Sequence, residues 1–163
     1  MTFLLLKYLH IIAAVFLFGF GMGSYLYFVA ANRTKNPVVI SAVGKMVVWF
    51  DAWITTTAGV VQVVTGYALA NLAGLSLADS WVWYSASLFI LVGLLWLPVL
   101  WLQKQLRDMA QLSVVASTPL PDNHSRYYRW WLWMGVAGFA GMFMIALAMV
   151  TKMTPVQLLH SWA

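Results

Sequence analysis

The chain has 163 residues, 63% of them hydrophobic and only 8% charged, with ten tryptophans and a formal net charge of +5. A water-soluble domain of this length cannot hide so much apolar surface, so lipid must be the solvent for most of it. The positive charge does not indicate nucleic acid, because the basic residues are sparse, lie between apolar runs and form no basic stripe. The absence of cysteine excludes disulfides, thiolate metal sites and cysteine nucleophiles.

The first apolar run covers residues 3–31, and about 20 residues suffice to cross a ~30 Å hydrocarbon core. At ~1.5 Å per residue it reaches about 43 Å, so it must tilt or extend into the headgroups. Val29-Ala30-Ala31 resembles a signal-peptidase site. The apolar region is longer than the roughly 7–15 residues of a signal core, however, and Arg33 and Lys35 follow at once, so the helix is expected to be retained. Residues 32–45 read as a short polar segment punctuated by Pro37. A second span is expected over 46–72 and, after a turn, a third over 81–103, with a kink at Pro98. The third helix is expected to continue past the membrane through KQLRDMAQL before the loop STPLPDNHS. A fourth span covers 128–151, and the tail reads as a short amphipathic surface segment. These elements predict an all-α, four-helix transmembrane bundle forming one integral membrane domain over 1–163.

Charge sets the expected orientation. Arg33, Lys35, Lys45, Lys104, Arg107, Arg126 and Arg129 lie at one end of the bundle, and Lys7 and Lys152 at the other. The positive-inside rule then places both basic loops in the cytoplasm and both termini on the outer, periplasmic side of a bacterial inner membrane. Tyr8, Tyr67, Trp81 and Trp83 would mark the outer interface, and Trp49, Trp101, Tyr127 and Trp130 the inner one.

His10 is the only histidine inside a long apolar run, and ionisable groups at such depth are costly and functional by default. Lys7, His10, Ala14, Leu17, Gly21 and Ser24 share one side of the first helix, which is therefore expected to face protein. A buried imidazole there can ligate a metal, and haem iron is the natural candidate in a four-helix membrane bundle. Lys7 and Lys152 would pair with propionates, and Met149 or Met153 is at a suitable depth for a second ligand. His160 lies in the tail and His124 in the cytoplasmic loop, too far from His10. The alternative is that His10 hydrogen-bonds a neighbouring helix and orders the bundle. The second helix carries a polar stripe of Asp51, Thr55, Ala58, Gln62, Thr65 and Gly66. Asp51, the one carboxylate within a span, reads either as a proton-path or quinone-binding group or as an interfacial acid paired with Lys45 or Arg129. Gly19-x-x-x-Gly23 and Gly135, Gly138 and Gly141 predict contact between the first and fourth helices. No hydrolytic set, phosphate loop or paired-histidine metal motif is present.

The segments LKYLHIIAAVFLFGFGMGSYLYF, VVWFDAWITTTAGVVQVVTGYALA and LLWLPVLWLQKQLRDMA resemble a bacterial family of predicted four-helix integral membrane proteins catalogued as a domain of unknown function. LWLPVLWLQ is the most specific part of that resemblance. More distantly, LKYLHIIAAVFLFGFG is similar to the opening helix of HemJ-type protoporphyrinogen oxidases and CopD-type copper-resistance domains. The HemJ-type resemblance implies haem b at His10. Those proteins also carry a histidine and a lysine on the third helix, which this chain lacks, so their oxidase activity does not carry over. The expectation is thus a small redox-associated membrane protein binding one b-type haem through His10, with other membrane subunits or further copies of itself as candidate partners. Two alternatives stand beside it: a cofactor-free structural or assembly subunit, and a proton-coupled carrier using Asp51 and Gln62.

Overall fold

The computed structural model describes residues 1–76 and 78–161. It contains α1 (Thr2–Arg33), α2 (Pro37–Phe50), a π-helical segment (Asp51–Thr55), α3 (Thr56–Leu72), α4 (Ser80–Ala116), α5 (His124–Thr151) and a short α6 (Pro155–His160). No strand occurs among the described residues. α2, the π segment and α3 form one continuous span, so four helices are long and apolar enough to cross a membrane.

The second span starts nine residues earlier than the polar composition of 32–45 suggested. Asn36 accepts from the Val38 backbone N–H at 2.9 Å and Pro37 occupies the first helical position, which is an N-cap followed by a proline with no N–H to waste. Pro37 therefore starts a helix and does not punctuate a loop. α4 runs unbroken through Pro98 to Ala116, as KQLRDMAQL predicted, and ends at Ser117 in the left-handed region (φ 52°). The tail forms α6, opened by a capping box in which Thr154 and Gln157 satisfy each other's backbone N–H. Gln157 also donates to Ser80 Oγ at 3.2 Å, tying α6 to the start of α4.

At 37 residues α4 reaches about 55 Å, well beyond the hydrocarbon thickness. The surplus lies at the basic end, where the first turns of α2 pack on the last turns of α4. A methyl group at Gly44 would come within 3.0 Å of Arg107 Cβ and 3.2 Å of the Phe28 ring, so glycine permits that approach. Phe28, Ile40, Val47, Leu102, Leu106 and Trp131 form the core of this end. Toward the other end the bundle separates into pairs. α3 packs on α1, α4 packs on α5, and α3 makes no substantial contact with α4. The first helix buries Phe28, Val29, Ala31 and Asn32 in its last turns and, further toward the other end, Ser24 and Ala13.

α1 and α5 do meet, but through aromatic rings and not through matched glycines. Phe18 and Phe143 lie 5.4 Å apart, and the Tyr25 ring occupies the space a side chain at Gly135 would need. Tyr25 stacks on Trp131 at 4.9 Å and donates to the Leu132 carbonyl at 2.9 Å. Gly19, Gly23 and Gly138 have open space where a Cβ would sit. The small-residue pattern is real, but a glycine gap is filled by a ring instead of a backbone.

Candidate functional site

The polar stripe of the second span faces α1 and divides into two clusters. In the first, His10 lies against α3, its Nδ1 2.9 Å from Thr65 Oγ1 and its Nε2 2.9 Å from Gln62 Nε2. Gln62, Thr65 and Gly66 present one face of α3 at spacings of three and four residues. A Cβ at Gly66 would stand 3.1 Å from the imidazole Cε1, so the ring rests where α3 has no side chain. Thr65 also donates to the Val61 carbonyl at 2.6 Å. The Gln62 amide nitrogen can only donate, so His10 Nε2 accepts from it and Nδ1–H donates to Thr65 Oγ1, whose own proton goes to Val61.

That arrangement offers haem no open axial nitrogen. Iron at His10 would require Gln62 or Thr65 to withdraw. Lys7 and Lys152 are exposed, and Met149 and Met153 are 44% and 40% exposed. Among the described residues no three His, Asp or Glu side chains converge on a point where they could hold a metal ion. His160 is exposed on α6. His124 is buried at the start of α5, with its Nε2 unpartnered.

The second cluster lies deeper. Asp51 is 5% exposed and opens the π segment, whose backbone closes with Thr56 N–H on the Asp51 carbonyl. The wider π turn points Asp51 and Thr55 inward together, the kind of local irregularity often found where a helix carries function. Thr55 donates to Asp51 Oδ1 at 3.0 Å, Ser24 of α1 is 3.4 Å from the same oxygen, and Gln103 of α4 donates to Oδ2 at 2.9 Å. Trp131 of α5 donates to Gln103 Oε1 at 3.4 Å. Each of the four spans supplies a member. The pairing of Asp51 with Lys45 or Arg129 is not what forms: the carboxylate is buried, its partners are neutral, and the ion pair found among the described residues is Arg107–Asp108.

The indole fixes the direction of this chain. Trp131 can only donate, so Gln103 turns its oxygen to the indole and its NH₂ to the carboxylate. Gln103 therefore meets Asp51 as a donor, while the Ser24 hydroxyl also donates to the Gly21 carbonyl of its own helix at 3.1 Å. Gln103 and Trp131, each 1% exposed, were not singled out by sequence reading. The signal available was a glutamine at the end of LWLPVLWLQ, taken there as a span boundary.

Above this cluster, between the separated helix pairs, lies an apolar chamber of about 470 Å³, within the roughly 300–1,000 Å³ of small-molecule sites. Asp51, Gln103 and Trp131 form its polar end, Trp96 and Phe139 its walls, and Gly93 and Gly138 its recesses. Val60, Val63 and Val64 of α3 line it while each remains more than half exposed on the outer surface of the bundle. The chamber thus opens sideways, where α3 and α4 stand apart, onto the face that lipid covers.

Four apolar helices, outward-facing aliphatic surfaces and a polar cluster confined to the interior define an integral membrane protein with four candidate spans. Residues 4–153 match the family model of predicted integral membrane proteins DUF2269, and the chain belongs to that family. No curated protein matches the chain, and no solved structure does.

Proposed function

We propose that this protein holds an amphiphile drawn from the membrane, its apolar part in the chamber and its polar head at Asp51, Gln103 and Trp131. The observation that carries this reading is the chamber itself, apolar along its length, open to the lipid face and closed at the basic end by side chains from all four spans. A space of that size beside hydrocarbon fills with a chain of matching polarity, and a few convergent polar groups fix which end goes in first. The orientation that suits this reading is the one the basic residues indicate, with both termini outside an inner membrane. The polar head would then sit at about the depth of the inner leaflet.

Gly93→Leu and Gly138→Leu test it, because both positions have free space for a side chain. Mass spectrometry of organic extracts from protein purified in mild detergent is expected to find a stoichiometric amphiphile with the wild type and to lose it with the double variant. Identical extracts from both would overturn the reading. The same preparations give an absorption spectrum. A Soret band abolished by His10→Ala would establish haem b at His10, and with it the redox-associated reading, at the cost of the Gln62 and Thr65 contacts.

A further inference from the structure

We infer that the head group taken by the chamber is a monovalent organic cation, held by the Asp51 carboxylate against the aromatic rings that surround it. The inference rests on the chamber reading and adds the chemistry of its polar end.

Three features point to a cation. The donors around Asp51 match an acceptor-only group. Gln103 gives an N–H to one oxygen and Thr55 an O–H to the other, and the indole of Trp131 prevents the Gln103 amide from reversing. A protonated acid keeps them only by turning its proton toward Ser24, whose own hydroxyl then donates to the Gly21 carbonyl at 3.1 Å. Second, the carboxylate has no positive partner among the described residues, although it is buried among four apolar helices. Neutral donors soften the burial of such a charge, but a counter-charge relieves it most. Third, aromatic side chains stand beside it. Tyr25 and Trp131 stack at 4.9 Å, Phe139 approaches Tyr25 at 5.4 Å, and Trp96 also lines the chamber. A carboxylate at the end of an aromatic-walled apolar space is the arrangement that recognises ammonium-type and other diffuse organic cations. A small hydrated metal ion is disfavoured there, because among the described residues no second carboxylate or imidazole joins Asp51. A purely neutral lipid would leave the charge unanswered.

The test uses the full-length protein in nanodiscs of zwitterionic lipid, with two probes of similar shape, tetraphenylphosphonium and the neutral triphenylphosphine oxide. Retention of each is measured above that of empty nanodiscs. Wild-type protein is expected to favour the cation by about tenfold or more, the scale of one hydrogen-bonded or paired charge. Asp51→Asn is expected to remove that preference while neutral-probe retention persists, and Asp51→Glu to restore part of it. Gly93→Leu with Gly138→Leu is expected to reduce both probes. Equal retention of the two probes by wild type, or an unchanged preference in Asp51→Asn, overturns the cation while leaving the chamber standing. Retention of both probes unaffected by filling the chamber overturns the chamber reading itself. If Asp51→Asn does not fold, the wild-type comparison of the two probes decides alone.

Discussion

At the scale of single residues, His10 is held by two side chains of α3, and this sets what its loss should cost. Cross-helix hydrogen bonds within membranes are worth ~0.6 kcal/mol on average and at most about 1.7. His10→Ala removes two, at 2.9 Å each, so a destabilisation of about 1–2 kcal/mol is expected in reversible unfolding from mixed micelles. An unchanged unfolding midpoint would mean that the imidazole contributes nothing to α1–α3 packing. The sequence marked His10 as facing protein and left open what it would meet. Helical spacing gives the face of a side chain, but not the neighbour that face will find. Asp51 is the converse case. Its position on the stripe was evident, yet proximity to the basic end suggested a lysine or arginine partner. The partners are Ser24, Thr55 and Gln103, because burial inside the bundle excludes the long basic side chains that remain at the surface.

At the scale of elements, the π segment sets the register between the two clusters. Asp51–Thr55 carries one residue more than an α-helix would need for its turn. It thereby lets α2 aim Asp51 at Gln103 while α3 aims Gln62 and Thr65 at His10. Deleting Trp53, 66% exposed and facing lipid, should remove the surplus residue and let the turn close as a regular α-turn, with both flanks kept in register. In that background the unfolding penalties of His10→Ala and Asp51→Asn are both expected to persist, and loss of either would refute the register role. No residue pattern signals the extra residue, since α and π turns share the same side chains and differ in a single backbone step. The start of α2 is different. Asn36-Pro37 was a readable helix start, outweighed in sequence analysis by the polar residues around it.

At the scale of the whole molecule, the basic residues gather at the tightly packed end and the chamber opens toward the other. The absence of cysteine makes the orientation directly testable by single-cysteine labelling in intact cells. Ser117→Cys, after α4, is expected to resist membrane-impermeant maleimide, and Ala78→Cys, in the turn before α4, to react. The opposite pattern would invert the bundle and move the polar end of the chamber to the outer leaflet.

The solvent and the count of spans follow from the residues alone. Hydrophobicity over about 20 residues is a local quantity, and so are helix length, the stripe on the second span and the isolation of His10. Packing between helices settles the rest: the glycines of α1 and α5 do not interlock, Gln103 and Trp131 complete the surroundings of Asp51, and the bundle parts into pairs around a chamber. Those depend on how four helices of unequal length lean on one another. In lipid, where apolar faces gain little by meeting, the lean is set by a few close-fitting side chains and buried hydrogen bonds. Such contacts join residues 24, 51, 103 and 131, and no periodicity along one helix contains them.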